Sequence, residues 1–152
     1  MSLTPQRLRR LVRYRERLER LQELELAGAQ RLYRARLGAL ESAQDERERA
    51  LDAGIAAGGP VNTADLLARV DYLRRADREI GARRAALAHS LDDVAEEREA
   101  LMERRRDRKA METLLDRRLE EDRVEALREE RRRIDEVAVT RWKRPAAPGR
   151  SD

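Results

Sequence analysis

Along one stretch of the chain apolar residues return at every seventh place: Leu66, Leu73, Ile80, Leu87, Val94, Leu101 and, past Arg108, Leu115. A repeat of about 3.5 residues per turn, carried this far, describes a straight helix burying a narrow stripe against another helix. The companion places four residues further on are mixed. Val70, Leu91 and Leu119 are apolar, whereas Asp77, Arg84, Arg98 and Arg105 are charged. So weak a second stripe predicts an all-α protein built as a thin two-helix coiled coil, without the deep core of a bundle.

Composition agrees. Of 152 residues 43% are charged and 3% aromatic, with no Phe, and the mean hydropathy is −0.89. Glu, Arg, Ala and Leu dominate, the profile of long helices. No run of about 18 apolar residues is present to span a membrane, and Met1–Pro5 leads into a charged helix without an apolar signal core. A cytoplasmic location is the expectation. With no cysteine there are no disulfides or thiolate metal sites.

Thr4 can cap the first helix, with Pro5 at the first helical position, where its missing N–H costs nothing. The divisions expected for a single domain are an N-terminal cap (1–4), helix one (5–52), a hairpin loop (53–63), helix two (64–142) and a disordered tail (143–152). In helix one a stripe of Leu8, Leu11, Leu18, Leu21 and Leu32 overlaps a second of Leu26, Ala29, Tyr33, Leu37, Leu40 and Leu51. That change of phase predicts a stutter. Gly58-Gly59-Pro60 ends helix one, because Gly takes left-handed conformations and Pro disfavours α geometry in the residue before it. Asn62 or Thr63 can cap helix two, and so short a loop folds the helices back antiparallel.

Pairing across that loop sets Leu8 near Arg108 and leaves 112–142 overhanging as a protruding C-terminal helix. The overhang keeps a sparse apolar pattern, Leu115, Leu119, Leu127, Ile134 and Val137, which predicts docking or oligomerisation. Trp142, the one Trp in the chain, is an anchor candidate, since buried Trp and Arg dominate interface energies.

The residues offer little for catalysis, and no enzyme activity, cofactor, metal or small-molecule ligand is expected. His89 is the one histidine, with no second His or Cys to share a metal. Carboxylate pairs such as Glu120-Glu121 lie on a helix that cannot bury them, and acid–base work needs a raised pKa. Gly58-Gly59 lacks the Gly-Lys-Ser/Thr of a phosphate loop. The net charge is +4, from 35 basic and 31 acidic residues, all the basic ones but Lys109 and Lys143 being Arg. Triplets such as Arg104-Arg105-Arg106 and Arg131-Arg132-Arg133 could meet phosphates. Each, however, wraps about 200° of the helix instead of forming one patch, so no nucleic-acid partner is expected. A basic coiled-coil hairpin binding nucleic acid or another protein stays open as an alternative.

Three stretches resemble the flagellar export protein FliJ family and the related YscO-type stalk proteins of injectisomes. They are Leu8-Arg-Arg-Leu-Val-Arg-Tyr-Arg-Glu16 with the Leu21–Ala29 helix; Leu66, Leu67, Val70, Tyr72, Leu73 and Ile80 after the loop; and Arg128–Ala138 with Arg141, including Ile134-Asp135-Glu136-Val137. The resemblance implies a component of the type III export apparatus serving flagellum assembly and motility, the injectisome stalk being its alternative. By that resemblance the hairpin acts as a central stalk within the export ATPase hexamer, links it to the cytoplasmic domain of the export gate, and escorts export chaperones. The protein would then associate with the inner membrane peripherally, through partners. The ATPase side would comprise Leu8, Leu11, Leu115, Leu119, Leu127, Arg131, Ile134, Asp135, Glu136 and Trp142. The gate side would comprise Leu40, Ala43, Arg47, Tyr72 and Ala76. The family often carries aromatics where this chain has Ala43 and Arg47.

Overall fold

The computed structural model describes residues 4–56, 58–60 and 62–143, which form two helices, α1 (Pro5–Ala56) and α2 (Thr63–Trp142). The tail expected over 143–152 lies outside the described residues except for Lys143. Internal contacts divide the chain into two units, Arg17–Arg106 and Met1–Glu16 with Asp107–Asp152.

The helix starts follow from their caps. Thr4 Oγ1 accepts from the Arg7 amide at 3.4 Å, and Asn62 Oδ1 accepts from the Ala64 amide at 3.1 Å. Each satisfies a donor that the first helical turn leaves without a carbonyl partner. Asp65 stands in the first turn of α2 and Arg141 in its last, both favourable toward the helix dipole.

α1 runs to Ala56, beyond the end expected at residue 52, and Gly54 lies inside it. The glycine is used for access. Arg69 Nη1 donates to the Gly54 carbonyl at 3.1 Å, and a Cβ on Gly54 would stand 2.7 Å from that same nitrogen.

In the Arg17–Arg106 unit the helices are antiparallel: Glu19 meets Arg105, Arg36 meets Ser90 and Arg47 meets Asp77. The register is displaced from expectation by about one heptad, since Arg47 would otherwise have fallen opposite Arg69. Sliding a heptad seam by two turns keeps the same face inward, so periodicity tolerates either setting. The longer α1 and the cross-seam polar contacts select the one observed.

Ile80, Val94 and Leu101 are buried and Leu73 and Leu87 half-buried, so the seven-residue series is the seam. Each buried member contributes roughly 1.5–3 kcal/mol through apolar burial. At the loop end the seam opens, and Leu66 is exposed. The companion stripe lies three residues on from the series, not four. Ala76, Arg83, Ser90, Glu97 and Arg104 turn inward, whereas Asp77, Arg84, Leu91, Arg98 and Arg105 are exposed. Small and long polar side chains thus occupy a row where apolar ones would normally sit.

α1 shows no stutter. Glu19, Gln22, Leu26, Ala29, Tyr33, Arg36, Leu40 and Ala43 keep one heptad phase and are all buried or half-buried, while Leu21, Leu24 and Leu32 face solvent. Of the leucine stripe, Leu11, Leu21 and Leu32 lie on the outer side of the helix, whereas Leu18 is half-buried and Leu8 buried.

In the other unit Leu8 is 3% exposed and Arg15 Nη1 bonds Asp107 Oδ2 at 2.8 Å. Half-burial continues on α2 at Met111, Leu115, Arg118, Asp122 and Val124. Pairing therefore reaches past Met111, where the expected register would have ended it.

Candidate functional site

The Arg17–Arg106 seam is held by polar side chains reaching across it. Arg36 Nη1 donates to Ser90 Oγ at 2.5 Å and to the Ala86 carbonyl at 2.9 Å. Arg83 Nη1 donates to the Ala39 carbonyl at 2.9 Å while its Nε bonds Glu79. Gln22 donates to the Glu97 carboxylate. Arg105 bonds Glu19 and Glu23, both at 3.2 Å. Such contacts act more through geometry than through bulk energy, because partly exposed ion pairs contribute about 1 kcal/mol or less.

The residues assigned to the gate side lie mostly in this seam. Leu40 is buried, Ala43 and Ala76 are half-buried, and Arg47 is engaged with Asp77 at 2.5 Å. Tyr72 alone of the five is exposed. Leu66, Leu67 and Val70, earlier on the same helix, are also exposed. Their hydrophobic spacing was visible, but Leu66 and Val70 read as seam positions in the sequence.

The residues assigned to the ATPase side fall together in the other unit. Leu8 is covered and Leu115 half-buried, whereas Leu11, Leu119, Leu127, Arg131, Asp135 and Glu136 are exposed. Ile134 is 61% exposed and Trp142 90%. From Glu125 to Lys143 every residue is exposed, although α2 stays helical as far as Trp142. Val139, which the sequence reading did not single out, joins Val137 among the exposed apolar residues here.

Ion pairs lie along α2 just before this segment, and within it Arg133 pairs with Glu129 at 4.0 Å. Arg118 pairs with Glu121 and Asp122, and Arg123 pairs with Glu120. The hydrogen bond from Arg123 holds the Glu120 carboxyl below its ordinary range, and the same bond raises Arg123. Pairs three or four residues apart each add a few tenths of a kcal/mol to a helix, about 0.2–0.5.

Among the described residues no group of His, Cys, Asp and Glu could hold a metal ion. No described helix is long and apolar enough to cross a membrane. The groove beside Val124, lined by Arg118, Glu121, Arg128 and Arg132, is open along α2 alone.

Two long helices carrying exposed apolar faces define an all-helical protein of the hairpin class. The family model of the flagellar FliJ protein matches residues 5–147, and the chain belongs to that family. It is thus a component of the flagellar type III export apparatus, in a family of non-enzymatic proteins. Comparison with curated proteins and with solved structures returns no match.

Proposed function

We propose that this chain is a central-stalk and chaperone-escort component of flagellar export, gripping the export ATPase ring through the C-terminal part of α2 and linking the ring to the export gate. The observation that carries this reading is the stretch Glu125–Lys143, helical but exposed at every residue, with Leu127, Ile134, Val137 and Trp142 among them. A helix depending on surface charge pairs is marginal in water. A partner that buries this apolar set stabilises the helix and gains binding energy from the same contacts. The gate contact falls to Tyr72, the exposed member of the gate-side set, since Leu40, Ala43 and Ala76 are committed to the seam. The protein works in the cytoplasm and reaches the membrane through its partners.

The test is co-purification with the cognate export ATPase, combined with measurement of ring assembly and ATP turnover. Addition of the full chain raises both, and a chain ending after Val124 retains helicity while losing the effect. Unchanged assembly and turnover with the full chain refutes the stalk role. Loss of helicity with retained binding would move the contact elsewhere.

A further inference from the structure

On the side of α1 turned away from α2, charge changes sign along the helix. In the Arg17–Arg106 unit the seam takes Tyr33, Arg36, Leu40, Ala43 and Arg47. At about 100° per residue, the far side carries Arg31, Arg34, Gly38, Glu41 and Asp45, every one exposed. Basic residues precede Gly38 and acidic ones follow it, in steps of three or four. Among the described residues no ion pair engages Arg31, Arg34, Glu41 or Asp45. A Cβ on Gly38 would meet nothing within 4 Å, so packing inside the hairpin does not call for a glycine there.

We propose that this face associates with the same face of a second copy of the chain, the two α1 helices crossing antiparallel at Gly38. A two-fold axis through Gly38, perpendicular to α1, sets residues equally far before and after it opposite each other. Arg31 then faces the partner's Asp45, and Arg34 faces the partner's Ser42, one place from the partner's Glu41. The symmetry makes each contact twice. Farther out, Glu48 faces Gly28 and Arg49 faces Ala27, so neither opposes a like charge. A face complements itself about such an axis only if its charge reverses there, and this one does. An axis at Arg34 would set that arginine on its own copy, and one at Glu41 would do the same to the glutamate. Parallel α1 helices would oppose every charge with its like. Gly38 at the crossing lets the two backbones approach, which brings the flanking charges within reach of one another. Exposed pairs contribute little each, so the dimer is weak, reversible and sensitive to salt. Being isologous, the contact closes on itself and does not grow into filaments.

The experiment is sedimentation equilibrium of the full chain at about 0.5 mM, with helicity followed by circular dichroism. The wild-type chain sediments as a reversible dimer in about 50 mM salt, and association weakens about tenfold in about 500 mM. Arg31→Glu and Asp45→Arg each leave helicity unchanged, because both side chains are exposed. Each alone weakens association about tenfold or more, since like charges then meet twice. Mixing the two variants restores it, because in the mixed pair both contacts again join opposite charges.

The chain has no cysteine, so single cysteines report the geometry directly. Gly38→Cys alone forms a disulfide-linked dimer on mild oxidation. Asp52→Cys, about 40 Å from its own copy in this arrangement, does not. A monomeric wild-type chain at low salt, a dimer unaffected by either charge change, no recovery on mixing, or cross-linking through Asp52→Cys in place of Gly38→Cys overturns the proposal.

Discussion

Arg36 on α1 crosses the seam to Ser90 on α2, donating to its hydroxyl at 2.5 Å and to the Ala86 carbonyl at 2.9 Å. Ser90 is 1% exposed, the most deeply buried side chain described, and its own hydroxyl returns to the Ala86 carbonyl at 3.2 Å. The small serine leaves room for a guanidinium where two apolar side chains would ordinarily meet. A charged donor inside the seam then has satisfied geometry in this register, and a heptad slip would remove its partners.

Replacing that serine therefore tests the lock. Ser90→Leu adds apolar bulk at an inward place but expels the Arg36 head group. The expected result is a loss of about 1–3 kcal/mol in urea unfolding followed by circular dichroism. A gain in stability would mean that the polar contact contributes nothing to register or packing.

Glycine positions in the helices separate into two kinds. A Cβ at Gly38 or Gly81 meets nothing within 4 Å, so Gly38→Ala and Gly81→Ala are each expected to stabilise by about 0.5–1 kcal/mol. Gly54→Ala should fall short of that gain, because Arg69 must withdraw from the Gly54 carbonyl. Thermal melts of the three single variants give the comparison.

Leu8 tests how far pairing extends in its unit. Leu8→Ala is expected to cost about 2 kcal/mol, the low end for a buried leucine in a seam able to relax. Hydrogen exchange should show faster opening of amides near Leu8 and between Met111 and Val124. Unchanged exchange in the α2 segment would show that Leu8 is covered by something other than α2.

The Glu120–Arg123 pair makes a prediction about acid. The folded pKa of Glu120 lies below the ordinary 4.5, so folding binds its proton less well than the unfolded chain does. Its contribution is fully present above the unfolded value and is lost as pH falls through the folded one. Carboxyl titration by NMR should place Glu120 below 4.5, and Arg123→Gln should return it upward. The pair is fully exposed, so the change in helicity is small.

Trp142 tests the proposed partner surface. Being 90% exposed, it should emit as a water-exposed indole in the isolated chain. Addition of the export ATPase is expected to shift the emission to the blue, and Trp142→Ala to weaken binding several-fold. An unshifted emission in a complex that does form would remove Trp142 from the contact.

Much of the fold was legible in the sequence because it follows from local rules. Thr4 with Pro5 and Asn62 mark where helices start, and Gly58-Gly59-Pro60 marks where one cannot continue. The series from Leu73 to Leu115 named the inward stripe. Leu66 misled because a heptad place near an open end has no neighbour to cover it. The companion row misled for another reason. Ala76, Ser90 and Glu97 do not look like seam residues, and Leu91 and Leu119, which do, lie on the opposite flank. At the candidate site Ile134 and Trp142 are exposed, whereas Leu8 and Leu40 are buried and Ala76 half-buried, differences that spacing alone does not show.

By itself the sequence determined the helical state, the antiparallel return and the principal stripe, because capping, loop chemistry and seven-residue spacing act within a few turns. Only the tertiary structure decided the register, the polar companion row and which leucines stay in water. A heptad seam is unchanged by a slip of seven residues, so nothing periodic can choose among slips. The choice falls to contacts between residues distant in sequence, such as Arg36 with Ser90 and Arg47 with Asp77, which exist in one setting alone.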